Sequence, residues 1–300
     1  MSEALPKVQI AVDACPICGW RGEWKDAAVP RRDAQNCGGC RANLRYRNQA
    51  ASILTHLGRG RYVTLRDLVR DPDIITNAAV YEVALHGPFI KYFSNIPGYV
   101  RSYYWPGAAF GEMHEGVRCE DLTKLTFADN SFDLVISSDV LEHVINFPTA
   151  FQEIFRVLRP GGAHVFTVPV SWPIPAETVR RVEEKDGHIL HHTEPRFHKA
   201  GDGTPTLVCT DFGFDLLRTL DTIGYEAWFE RPSLMRYPSY FDTVVVSRKP
   251  RVQLGPPALS SPPESAESVE PAIPPMPTTG GGSGARRRRM RKAVSASQSE

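Results

Sequence analysis

Four cysteines form two close pairs near the N-terminus, Cys15-Pro16-Ile17-Cys18 and Cys37-Gly38-Gly39-Cys40, with 18 residues between the pairs. A two-residue gap lets both sulfurs of a pair reach one ion from a tight turn. Two such turns supply four thiolates in a tetrahedral array. Gly38 and Gly39 permit the second turn. The pattern predicts a zinc ion held by Cys15, Cys18, Cys37 and Cys40. Four thiolates leave no open coordination position, so the ion would be structural. A redox or vestigial site is the alternative. Cys119 and Cys209 stand alone and read as small buried apolar residues. Histidines are the other groups suited to chemistry near neutrality. His143 lies just past an apolar run, and His188, His191, His192 and His198 lie in one polar stretch. These four and Glu194 are spaced too irregularly to predict a second metal site.

The elements that must position these residues are legible in outline. Residues 1–43 are too polar to build a core alone and read as a zinc ribbon. Residues 44–77 read as a helical connector. One helix runs from Leu44 to Leu57 and ends at Gly58; a second spans Leu65 to Val69 and is stopped by Asp71-Pro72. From 78 to 249 strands and helices alternate, as in an α/β sheet covered on both faces. Strands are predicted at 79–83, 99–105, 132–137, 164–168, 226–230 and 242–247. Phe151, Ile154, Phe155 and Leu158 share one face of a helix over 148–158, ended by Pro160-Gly161-Gly162. Phe212, Leu216, Leu220 and Ile223 do the same over 211–223. Residues 170–210 interrupt the pattern as a long polar insertion. Residues 250–300 are rich in Pro, Ser and Gly, carry an Arg cluster at 286–292, and read as disordered.

The formal charge is +1, from 35 Lys/Arg against 34 Asp/Glu. It hides three unequal parts: +6 over 1–70, −8 over 71–250 and +3 over 251–300. No apolar run approaches the ~18 residues needed to span a bilayer. The first residues lack a signal-peptide pattern, so the expected location is the cytoplasm.

Residues 121–169 carry a family resemblance. Asp121-Leu122-Thr123-Lys124-Leu125-Thr126-Phe127-Ala128-Asp129-Asn130-Ser131-Phe132-Asp133-Leu134-Val135, then Asp139-Val140-Leu141-Glu142-His143-Val144, then Leu158-Arg159-Pro160-Gly161-Gly162, resemble class I S-adenosylmethionine-dependent methyltransferases of the type 11 group. A subgroup of these carries an N-terminal zinc ribbon running into an Arg-rich helix, as here. The resemblance implies a Rossmann-like seven-stranded sheet over 78–249. The cofactor would lie at the carboxyl ends of its strands, as the general rule for open α/β sheets also says. Carried over, Asp121 would accept from the adenine amino group and the Leu122 backbone would face the ring. Ser138 and Asp139 would lie beside the methionine part. Glu82 would be the acidic residue ending the first strand, and Gly87 the glycine of the loop after it. Ala84 stands where an earlier glycine is usual. No ribose-binding carboxylate ends the second strand at Tyr103-Tyr104-Trp105; Glu112 is a candidate substitute.

A methyl acceptor through oxygen or nitrogen can need a base, for which His143 and His198 are candidates. Glu194-Pro195-Arg196-Phe197-His198 resembles a Pro-x-aromatic-His segment of the zinc-ribbon subgroup. The leading expectation is methyl transfer to a small-molecule acceptor such as a saccharide. Two other readings stay open. One is an RNA methyltransferase, using the basic ends to track phosphate. The other is a non-enzymatic interaction protein with a degenerate core. No membrane partner is expected.

Overall fold

The computed structural model describes residues 14–22, 36–170, 173–230 and 243–251. Of the predicted tail, residues 252–300, which include the Arg cluster, lie outside them. Helices α1 (Leu44–His56), α2 (Leu65–Leu68) and α3 (Pro72–Asn77) come first. Then follow β1 (Ala79–Val83), α4 (Ile90–Phe93), β2 (Gly98–Tyr103), β3 (Met113–His114), β4 (Val117–Cys119) and β5 (Phe132–Ser138). A 3-10 turn at Leu141–His143 leads into α5 (Phe147–Val157) and β6 (Leu158–Thr167). The polar insertion holds β7 (Val179–Arg180), β8 (Val182–Lys185), β9 (His188–His191), β10 (Phe197–Lys199) and β11 (Pro205–Leu207). The chain continues through β12 (Thr210–Asp211), α6 (Leu216–Ile223), β13 (Glu226–Glu230) and β14 (Val244–Arg248).

The main sheet has the order β13-β14-β6-β5-β1-β2-β4-β3. Neighbours from β4 to β6 pair in parallel, and β14 runs antiparallel between β6 and β13. These are the seven strands that the resemblance implies, plus the two-residue edge strand β3, paired antiparallel to β4. The chain winds outward from β1 through β2 to β4, then returns to place β5 on the other side of β1. Such a reversal opens a crevice at the carboxyl ends of the two central strands.

Period-two alternation sorts the strand residues onto two faces. Val80, Ile136, Val165 and Val246 pack with Ile53, Leu54 and Phe93, in a cluster that also contains Cys15, Ile17, Cys18 and Cys37. Tyr81, Val135, Phe166 and Val245 pack with Phe151 and Ile154 of α5 and Leu216 and Leu220 of α6. The cysteine-bearing turns are therefore part of one face of the core.

Several boundaries differ from the expectation. Asp71-Pro72 starts a helix instead of only stopping one. Asp71 accepts from the Asp73 amide at 2.8 Å, and Pro72 occupies the first turn, where a missing N–H costs nothing. β6 begins at Leu158, so Pro160-Gly161-Gly162 lies inside a strand. A Cβ on Gly162 would sit 3.1 Å from the carbonyl oxygens of Phe132 and Asp133, so glycine allows the close approach at an irregularity in the β5–β6 register. α6 starts at Leu216 because Thr210-Asp211 pairs with β7. The insertion is built of short antiparallel pairs, β8 with β9 and β10 with β11. No helix among the described residues is long and apolar enough to cross a membrane.

Candidate active site

Helix α1 is tied to the carboxyl ends of the central strands. Gln49, fully buried on α1, donates Nε2–H to the carbonyls of Ser137 (2.9 Å) and Val165 (3.0 Å). Its Oε1 accepts from the Ser138 hydroxyl at 2.6 Å. Ser138, the expected neighbour of a methionine group, thus has its hydroxyl turned to α1. Asp139 follows in the left-handed region (φ 56°). Its carboxylate accepts from Thr167 Oγ1 at 3.0 Å and faces Arg45 Nε at 3.3 Å. Arg45 entered the sequence reading only as part of an Arg-rich helix, and Gln49 escaped it.

At the end of β1, Glu82 is 2% exposed and accepts from the Tyr99 hydroxyl at 2.6 Å. Burial pushes its carboxyl up to about 7 despite that bond. A Cβ on Gly87 would lie 3.4 Å from Glu82 Oε1, so the loop returns over this carboxylate. Arg101 donates to the Leu85 carbonyl at 2.6 Å and holds the loop. Asp121 closes its own turn beyond β4, its Oδ1 accepting from the Thr123 amide (2.8 Å) and hydroxyl (2.7 Å). The Leu122 side chain is buried in the α5–α6 face of the core.

No acid ends β2, and Glu112 does not fill the place. The Cys119 amide donates to the Glu112 carbonyl and the Glu120 amide to the Tyr103 carbonyl, so Glu112 flanks β4 on the side away from β2. The tip of the β10–β11 hairpin comes instead. A Cβ on Gly201 would meet Leu85 Cβ at 3.3 Å and Tyr103 Cε2 at 3.9 Å. Next to it, the Asp202 carboxylate faces the Tyr103 phenol. It is held below the usual carboxylate range mainly by hydrogen bonds from Thr204. Asp202 lies 99 positions after Tyr103, and nothing local in the sequence marked it.

The same hairpin joins the two candidate histidines. His143 Nδ1 donates to the Leu207 carbonyl at 2.7 Å, so in the neutral ring the lone pair is on Nε2. His143 Nε2 lies 3.7 Å and His198 Nδ1 3.8 Å from Glu142 Oε1, and the two rings meet edge to face at 5.4 Å. Glu142 is fully buried, and neither carboxylate oxygen has a hydrogen-bond partner. Its backbone carbonyl accepts from the Cys209 amide at 2.7 Å. Of the other insertion histidines, His188 and His191 are exposed on β9, and His192 pairs with Glu183 at 3.4 Å.

The structure also gathers the four paired cysteines. Sγ of Cys15 and Cys40 are 3.7 Å apart, those of Cys18 and Cys37 3.6 Å, and all four lie within 4.8 Å of one another. A tetrahedral ion with ~2.3 Å bonds to sulfur needs about 3.8 Å between sulfurs, so the set fits. Amides of Gly39 (3.3 Å) and Cys40 (3.5 Å) point at Cys37 Sγ, as suits a thiolate. A cleft of about 610 Å³ lined by Arg59, Arg61, Arg248 and Arg251 opens elsewhere, beside Ala78 and Asp133 at the amino ends of β1 and β5. It is at the opposite end of β1 and β5 from Glu82, Ser138 and Glu142.

Parts of this chain resemble known proteins. Residues 107–166 match the family model described as a methyltransferase domain. The chain is 45% identical over 64 residues to a demethylmenaquinone methyltransferase of Mycobacterium marinum, which covers 19% of this chain and 28% of that protein. It is 33% identical over 110 residues to a sterol 24-C-methyltransferase of Gibberella zeae, 34% of this chain and 26% of that one. The match therefore spans about a quarter of the length of these curated relatives. Among solved structures, an S-adenosylmethionine-bound amino pentose methyltransferase from Micromonospora echinaspora aligns with TM-score 0.40 and 15% identity, over 66% of this chain and 96% of that one. An S-adenosylmethionine-dependent methyltransferase from Mesorhizobium loti aligns with TM-score 0.37 and 19% identity, over 61% and 95%.

Proposed function

We propose that this chain, whose matched segment and strand order are those of a class I methyltransferase core, transfers a methyl group from S-adenosylmethionine to a small-molecule acceptor. The observation that carries the reading is the gathering of two groups of polar residues at the crevice where the sheet reverses. The Glu82–Gly87 loop follows β1, and Glu142 and His143 follow β5, with His198 brought to them by the hairpin.

Bound S-adenosylmethionine supplies a methyl group already activated on a sulfonium. The protein has then to bind, orient and shield. Glu82 presents a carboxylate to the cationic part of the ligand, and Asp121 to the adenine amino group. Asp202 supplies the acid that β2 lacks, for the ribose hydroxyls. Ser138, fixed by Gln49, sets the backbone beside the methionine part. His143 and His198 face the acceptor side. The relatives that match act by name on quinone, sterol and phosphoethanolamine acceptors, so small-molecule methylation is the shared element. A saccharide is our specific candidate. We assign a structural zinc ion to Cys15, Cys18, Cys37 and Cys40, on the sulfur spacing.

Titration calorimetry and thermal melts with S-adenosylmethionine test the reading. Ligand at 100 times its dissociation constant should stabilise the protein by about 2.7 kcal/mol. No binding at millimolar ligand would sink it. Asp202→Ala should weaken the cofactor roughly tenfold, a loss of about 1.4 kcal/mol. Because this side chain sits on a hairpin tip, where its bonds from Thr204 are local, the melting temperature without ligand should fall by no more than about 2 °C. An unchanged affinity would remove Asp202 from the site.

A further inference from the structure

We propose that Glu142, His143 and His198 form a second metal site, for a first-row divalent cation with open positions toward the acceptor. The first observation is a buried carboxylate that no donor approaches to within hydrogen-bond distance. Glu142 is fully buried, and both its oxygens lack a hydrogen-bond partner. Two imidazoles face one of these oxygens, but only from 3.7 and 3.8 Å; a buried carboxylate held at that distance is costly, and a cation bound between the three groups would relieve the cost.

The second observation is the donor set around it. His143 Nε2 and His198 Nδ1 are 3.7 and 3.8 Å from the same carboxylate oxygen, too far for hydrogen bonds, and all three ligand atoms lie within 4.8 Å of one another. An ion with ~2.1 Å bonds needs about 3.0–3.4 Å between neighbouring ligand atoms. Small side-chain rotations bring the three donors to that spacing. His143 is already oriented as a ligand, with Nδ1–H on the Leu207 carbonyl and Nε2 free to coordinate. Two imidazoles and one carboxylate favour manganese, iron, cobalt or zinc over magnesium or calcium. Nearby groups stay outside the set. Asp139 is engaged by Thr167 and Arg45, and the Cys209 thiol points to the His143 carbonyl at 3.4 Å. The irregular spacing of the insertion histidines argued against a second metal; folding selects one of them, His198, and joins it to Glu142 and His143.

The consequence for the acceptor rests on the methyltransferase reading. An acceptor hydroxyl bound to the cation loses its proton to solvent more readily. Its oxygen then forms the new C–O bond as the methyl–sulfur bond of the sulfonium breaks, with the bonding pair staying on sulfur as a neutral thioether. The ion is unchanged. The acceptor class is thus a hydroxyl compound, preferably one with two adjacent oxygens to fill two open positions.

The test uses full-length protein carrying one zinc ion per chain, in the cysteine quartet, titrated with Mn²⁺ and followed by electron paramagnetic resonance. Manganese is too hard an ion to displace zinc from four thiolates. One Mn²⁺ should bind per chain, without added S-adenosylmethionine. Glu142→Gln and His198→Ala should each weaken it at least tenfold. His198 lies on the hairpin, 35% exposed, so His198→Ala should melt with the unaltered protein and separate ligand loss from unfolding. Absence of Mn²⁺ binding at millimolar concentration, or equal binding by both variants, would overturn the site. Mn²⁺ binding together with no S-adenosylmethionine binding would keep the site and discard the transfer chemistry.

Discussion

Stripping the ion from the cysteine quartet, or replacing Cys37 with serine, should lower the melting temperature of the protein by roughly 10 °C or more. That corresponds to about 4 kcal/mol or more in a domain of this size. Ion binding to a tetrathiolate site is folding free energy, because the unfolded chain has no preformed site. Here the effect should not stay local. Cys15, Ile17, Cys18 and Cys37 share a core cluster with Ile53 and Leu54 of α1 and with Val80, Ile136 and Val165 of the central strands. The Pro16 and Ile17 carbonyls also accept from the amides of Leu65 and Arg66, at 2.7 and 3.2 Å, at the start of α2. Loss of the ion should therefore loosen α1. Through Gln49, it should also disturb the carboxyl ends of β5 and β6. Circular dichroism melts and amide exchange over 44–56, with metal content measured on the same sample, check this. A metal-free sample melting within about 2 °C of the loaded protein would show the ion to be dispensable.

The second large effect concerns Glu82. Its folded carboxyl titrates near 7, against an ordinary 4.5, because burial disfavours the charge. The unfolded chain loses this proton first. Stability should therefore fall as pH rises from about 4.5 to 7, and the full penalty stands above 7. At 1.36 kcal/mol per pH unit the penalty is about 3 kcal/mol. Glu82→Gln should thus match the unaltered protein near pH 4.5 and exceed it at pH 8 by up to about 3 kcal/mol in urea unfolding. The same change should weaken S-adenosylmethionine at least tenfold, about 1.4 kcal/mol, since a neutral amide cannot answer a cationic ligand. In the unaltered protein, affinity should rise with pH up to about 7 and then level off. A variant that is less stable than the parent at pH 8 would show the buried charge to be supported by more than Tyr99 and Arg101. Gain of stability with loss of ligand is the pattern of a strained binding group rather than a structural one.

The two effects locate the boundary between local and global information. The cysteine pairs declare themselves by spacing, and that spacing matches the quartet in space. β5 is an apolar run with polar borders, and α5 carries an apolar face; both form where period and propensity place them. Asp71-Pro72 and Pro160-Gly161-Gly162 were harder to read. The same residues that end one element can begin another or pass through a strand, depending on which backbone groups lie nearby.

By itself, the sequence determined the α/β alternation and the cysteine quartet. Each depends on residues close together along the chain. Tertiary structure alone decided that Gln49 ties α1 to carbonyls 88 and 116 positions away, that Asp202 stands at the end of β2, and that His198 meets Glu142 and His143. These meetings follow from the pairing of β10 with β11 and from the packing of α1 on the sheet. The free energy of those contacts comes from burial and hydrogen bonding across the whole domain, so no local pattern records them.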